Sequence, residues 1–77
     1  MKLRTALETI LSTIGGDTWK SMSTSDLQIL VRDSLGVMDN LLRGSDKVQA
    51  SRIRGEVMRK SSPAEIVIYL GEMLVDV

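Results

Sequence analysis

The residues that could take part in chemistry are charged, and they separate by sign near the end of the chain. Residues 44–61 carry five bases against two acids, whereas residues 62–77 carry three acids and no base. Guanidinium and ammonium groups bind phosphate oxygens, so the basic segment predicts a candidate nucleic-acid surface. The bases assigned to this surface, or to the rim of a protein interface, are Arg52, Arg54, Arg59 and Lys60.

Three interpretations of this basic segment stay open: a solvated charged face, a nucleic-acid surface, and a site for an acidic protein partner. Glu56 lies four residues after Arg52 and four before Lys60, a spacing typical of ion pairs on a helix surface. In a helix-turn-helix domain the second helix enters the major groove. Here the second helix is acidic and apolar, so the pattern favours the solvated face.

Catalytic and metal-binding side chains are scarce. The chain has no cysteine and no histidine, which excludes a thiol nucleophile, a histidine base and the commonest zinc ligands. Glu72 and Asp76 share one helix face, but no nucleophile or oxyanion donor is spaced against them. We therefore expect no enzymatic activity, no cofactor, no metal and no small-molecule substrate.

The size and composition indicate one small domain, residues 1–77. Ten basic and ten acidic residues cancel, which argues against broad neutralisation of phosphate. No apolar run approaches the ~18 residues that span a bilayer, so we expect no membrane contact and a cytoplasmic location. The size alone suits an accessory protein of a bacterium or virus.

Apolar residues recur with helical spacing in four segments, which predicts an all-α four-helix bundle with an aliphatic core. Ser23 and Ser62 are good N-cap residues for the second and fourth helices, and Gly44 is placed to end the second. The run Ile66–Ile68 could also form a strand, but the Ser-Pro-Ala-Glu start favours a helix. The predicted helices are residues 2–14, 24–43, 46–60 and 63–76.

The fourth helix carries apolar residues outside its main face. We call this set the second stripe, and its members are Ala64, Ile68, Gly71 and Val75. They are spaced 4, 3 and 4 residues apart, which follows the helical period. One interpretation is a helix buried on several sides of its own bundle. The other is an interface, either a homodimer contact or a site for a partner helix.

Trp19 stands in a short polar connection after Gly15 and Gly16. It is either a lid that folds over the end of the bundle or an exposed anchor for a partner, since tryptophan is enriched among binding hot spots. By elimination, the sequence predicts a small regulator, inhibitor or adaptor that binds protein through the second stripe and Trp19. A nucleic-acid-binding helical domain is the alternative.

Overall fold

Four α-helices and no strand make up the fold, which confirms the all-α prediction. In the computed structural model, which describes residues 1–77, α1 spans Leu3–Thr13 and α2 spans Thr24–Met38. The third helix, α3, spans Gly44–Val57, and α4 spans Pro63–Asp76. Two short 3-10 turns, Trp19–Ser21 and Asp39–Leu41, lie in the connections before and after α2.

The N-termini of α2 and α4 form as their sequences predict. The Ser23 hydroxyl accepts the Asp26 N–H at 3.1 Å, and the Ser62 hydroxyl accepts the Glu65 N–H at 3.2 Å. The Glu65 carboxylate in turn accepts the N–H of Ser61 at 2.9 Å, one residue before the cap. Each bond satisfies a donor that lacks an intrahelical acceptor.

The predicted end of the second helix at residue 43 was wrong. The α-helix ends at Met38, and the chain tightens into the 3-10 turn Asp39–Leu41. This change of phase buries Leu42 completely and leaves Leu41 51% exposed, although both fitted the helical period. Gly44 does adopt a positive φ of 56°, but at the start of α3 rather than at the end of α2.

The third helix also differs from the prediction of residues 46–60, because it starts at Gly44 and ends at Val57. The side-chain amide of Gln28, on α2, donates to the carbonyls of Val57, Met58 and Lys60 at 3.1–3.3 Å. The two hydrogens of this amide are shared among the three carbonyls, and the Val57 carbonyl also accepts the N–H of Lys60 at 3.2 Å. A donor from the neighbouring helix thus helps to satisfy the carbonyls at the end of α3.

Asp46 stabilises a helix other than its own. Its carboxylate accepts the backbone N–H of Leu3 at 3.0 Å in a partly buried contact. The N-cap residue of α1, Lys2, contributes no side-chain bond, so Asp46 replaces the missing cap and places negative charge at the positive end of the α1 dipole. The start of α3 is thereby joined to the start of α1.

The core is aliphatic and is shared by all four helices. Fourteen hydrophobic residues are buried, and no polar or charged side chain is buried with them. Both α1 and α2 contact each of the other three helices, so the two together form the centre of the bundle. The Cα radius of gyration is 11.4 Å, close to the ~11.5 Å expected for a compact chain of this length.

Candidate functional site

The second stripe lies on the outside of α4. The inner face of the helix is fixed by Ile66 and Leu70, which are completely buried. Ile68 and Val75 are 61% and 83% exposed, and Ala64 is exposed as well. These side chains are therefore not part of the core of this chain.

Gly71 leaves open space in the middle of the second stripe. A Cβ placed on Gly71 would meet no atom within 4 Å, so nothing in this chain requires a glycine there. A glycine inside a helix costs about 1 kcal/mol relative to alanine. Its packing within this chain does not offset that cost, whereas a close approach by another backbone would use the space.

Other exposed apolar side chains lie among charges. On α2, Ile29 and Val37 are exposed, but Asp33 stands between them on the same side of the helix. On α3, Val48 is exposed and Arg52 follows one turn later. The second stripe also has charged neighbours, since Glu65 precedes Ile68 by three residues and Glu72 follows it by four, but its own four positions over residues 64–75 are all apolar or glycine.

Trp19 packs against the core rather than standing free in solvent. The 3-10 turn that carries it contacts α4, and its indole is half-buried beside the core residues. The ammonium of Lys20 lies 5.8 Å from the centre of the ring. This position fits the lid interpretation, and a partner could reach only the part of the ring that stays exposed.

Arg52 and Arg59 line an open groove between α3 and α4 with a volume of about 430 Å³. Gly55 contributes to the opening, because a Cβ there would meet nothing within 4 Å. Arg59 pairs with Glu56 at 3.3 Å, whereas Arg52 has no ion-pair partner. The lining of this α3–α4 groove is Gln49, Ser51, Arg52, Ile53, Gly55, Glu56, Arg59, Tyr69 and Met73.

The other two predicted bases have different surroundings. Arg54 is half-buried on the flank toward α2, where its guanidinium lies 3.3 Å from the position that a Cβ of Gly36 would take. The ammonium of Lys60 lies 4.7 Å from the ring centre of Tyr69, a cation–π contact. The four bases therefore do not form one continuous face, and binding of nucleic acid stays a prediction.

Tyr69 lies between the α3–α4 groove and the second stripe. Partial burial raises the pKa of its phenol above 10.0, and the negative charge of Glu56 raises this pKa further. Tyr69 also lines a shallow depression that includes Ile68 of the second stripe; its lining is Lys60, Glu65, Ile68, Tyr69 and Glu72. Neither Lys60 nor Glu72 forms an ion pair within the chain, as the salt bridges all involve other residues.

Sequence reasoning located the second stripe through its period but missed this depression. The Lys60–Tyr69 contact joins two residues on either side of the turn before α4, and only the path of that turn brings them together. No group of three acidic, histidine or cysteine side chains is arranged to hold a metal ion. No helix combines the length and the hydropathy that a bilayer crossing requires.

In comparisons with protein families, curated proteins and solved structures, nothing matches this chain.

Proposed function

We propose that this chain is a protein–protein interaction module that docks through the second stripe on α4. The observation that carries the proposal is the exposure of Ile68 and Val75 on a helix whose opposite face already fills the core. Burial of such exposed apolar side chains against another surface lowers the free energy, because it removes them from water. The role is that of a small regulator, inhibitor or adaptor, and it requires no catalytic group, cofactor or metal.

The affinity of such a module is concentrated in a few side chains. Large apolar residues at the centre of an interface carry most of the binding free energy, while charged residues at the rim mainly affect the rate of association. We assign the central contacts to Ile68 and Val75. Arg52 lies on α3 and Arg59 lies in the turn that follows it, and we assign both to steering an acidic partner. The proposed site of action is the cytoplasm.

Affinity capture from the cells that express the chain tests the proposal when it uses a matched pair of variants. Ile68→Asp places a charge in the second stripe, and Val37→Asp places one at an exposed apolar position on α2, where Val37 is 80% exposed. Both substitutions are at the surface, so both variants should keep wild-type helical circular dichroism.

We expect at least one binding protein, counting a tagged second copy of this chain, to be retained by the wild type and by Val37→Asp but lost by Ile68→Asp. The proposal is wrong if the Ile68→Asp and Val37→Asp variants retain the same proteins at the same yields. It is also wrong if nothing is retained above the level of an unrelated helical bundle.

A further inference from the structure

We propose that α3 is a strap that opens as one unit while α1, α2 and α4 stay packed together. The strap is held closed by two side-chain hydrogen-bond contacts, one at each of its ends, to α1 and to α2. Neither contact involves the second stripe, so the inference does not depend on the proposed function.

The third helix contributes fewer apolar side chains to the core than any other helix. It buries three residues fully, Ala50, Ile53 and Val57, and the first of these is small. Its Val48 is 56% exposed. Each of the other helices adds partly buried apolar side chains that pack against the core: Leu11 on α1, Leu30 and Met38 on α2, and Val67, Tyr69, Met73 and Leu74 on α4. Since α3 adds none, it gains the least free energy from burial.

The packing pattern allows α3 to leave without disrupting the other three helices. The helices α1 and α2 pack against each other, and α4 packs against both. The strap also packs against α1 and α2, but the α3–α4 groove separates it from α4. Eleven of the fourteen buried core residues lie outside α3. Opening therefore leaves a three-helix unit with most of its core, and it exposes the sides of α1 and α2 that α3 covers.

Local signals in the sequence of α3 stabilise the helix only weakly. Gly55 lies inside it, and glycine is the poorest helix former after proline. Its N-cap residue, Arg43, makes no side-chain hydrogen bond to the first turn. The N-cap residues of α2 and α4, Ser23 and Ser62, both make such a bond. The strap therefore depends on contacts with other helices more than α2 and α4 do.

Two contacts, which we call the latches, join the ends of α3 to other helices. At the start, the Asp46 carboxylate accepts the N–H of Leu3 at 3.0 Å. At the end, the Gln28 amide donates to carbonyls of residues 57, 58 and 60 at 3.1–3.3 Å. Both latches break when α3 opens. Because burial and capping contribute little to α3, the latches account for a large share of what keeps it closed.

Native-state hydrogen exchange, followed by NMR on the intact chain in a series of low urea concentrations, tests the proposal. Amides that exchange through a partial opening have a smaller urea dependence than amides that require global unfolding, because less surface is exposed. After correction for intrinsic rates, we expect α3 amides to exchange at least roughly tenfold faster than the most protected amides of α1, α2 and α4. Equal rates and equal urea dependence in all four helices would overturn the proposal.

Two glycine substitutions distinguish partial opening from global unfolding. Gly55→Gln stabilises α3, which is lost in both processes, so it should slow exchange about threefold in all four helices. Gly71→Gln stabilises α4, which stays formed while α3 is open. It should therefore slow exchange about threefold in α1, α2 and α4 and leave the exchange of α3 unchanged.

Both glycine variants should fold, because neither position has an atom within 4 Å of its Cβ site. A Gly71→Gln variant that slows exchange in α3 as much as in α4 would overturn the proposal, since α3 would then open only with the whole fold.

Gln28→Ala tests the latch at the end of α3. The hydrogen bonds of Gln28 are absent whenever α3 is open, so their loss should speed exchange about fivefold in all four helices. The control is Gln49→Ala, which removes the other glutamine of the chain and should leave the rates nearly unchanged. Exchange of α3 amides that Gln28→Ala does not accelerate would contradict the assignment of Gln28 as a latch.

Discussion

Gly71 allows the stability of the fold to be separated from the strength of assembly. Within one chain the position is open, so a longer side chain there has nothing to displace. Glycine is the poorest helix former after proline, and glutamine is a good one. Gly71→Gln should therefore raise the free energy of unfolding by about 0.6 kcal/mol. The entropy of unfolding of a 77-residue domain is about 160 cal/mol/K, so the melting temperature should rise by ~4 °C.

Binding through the second stripe should respond in the opposite direction. Gly71 lies between Ile68 and Val75 on that face, so a glutamine side chain there keeps a partner surface away from both residues. We expect binding to weaken by at least roughly tenfold, equivalent to ~1.4 kcal/mol. Thermal unfolding of the purified chain measures the first effect, and affinity capture with matched variants measures the second.

Gly55→Gln is the matched control for this prediction. Gly55 is also inside a helix and also has nothing within 4 Å of its Cβ position, but it lies on α3 in the groove rather than in the second stripe. Its substitution should raise the melting temperature by a similar amount and leave association unchanged. If both variants behave alike in assembly, or if Gly71→Gln lowers the melting temperature of the dilute chain, the reasoning about Gly71 is refuted.

Two further predictions concern stability and ionisation. Asp46→Ala should lower the free energy of unfolding by ~2 kcal/mol in urea denaturation, because the partly buried Leu3 N–H loses its acceptor and α1 loses its cap. As a control, Asp33→Ala at an exposed position should change the free energy of unfolding by less than ~0.5 kcal/mol. The phenol of Tyr69, the only tyrosine, should titrate above pH 10.0, and Glu56→Gln should lower its midpoint. The phenol ionises at a lower pH in the unfolded chain than in the folded one, so the stability of the fold should fall as the pH rises from 10.0 through the raised pKa. A midpoint of phenolate absorbance at or below pH 10.0 in the folded chain would contradict this account.

Most of the fold could be predicted from local pattern. Helical spacing predicts α1, α2 and α4, and serine caps mark the starts of α2 and α4. These signals are readable from the sequence because each one depends only on residues about one helical turn apart. The end of α2 could not be predicted in this way. Leu41 and Leu42 continue the helical period, and only the packing of the whole bundle buries Leu42 through a 3-10 turn.

Contacts between distant residues escape sequence reasoning for the same reason. Asp46 lies in the first turn of α3, but it caps α1, because its carboxylate accepts the N–H of Leu3, 43 residues away. The second stripe, in contrast, was predictable as a surface because its period is local to α4. Local pattern could not decide whether the core would cover it, since that depends on how many neighbours α4 has.

The central claim is that the outer face of α4 is a protein-binding surface. Affinity capture with wild type, Ile68→Asp and Val37→Asp in parallel, with a tagged second copy of this chain among the candidate binding proteins, tests it most directly. We predict that wild type and Val37→Asp retain a binding protein that Ile68→Asp loses, while all three keep the same helical circular dichroism. Equal retention by all three variants would contradict the claim.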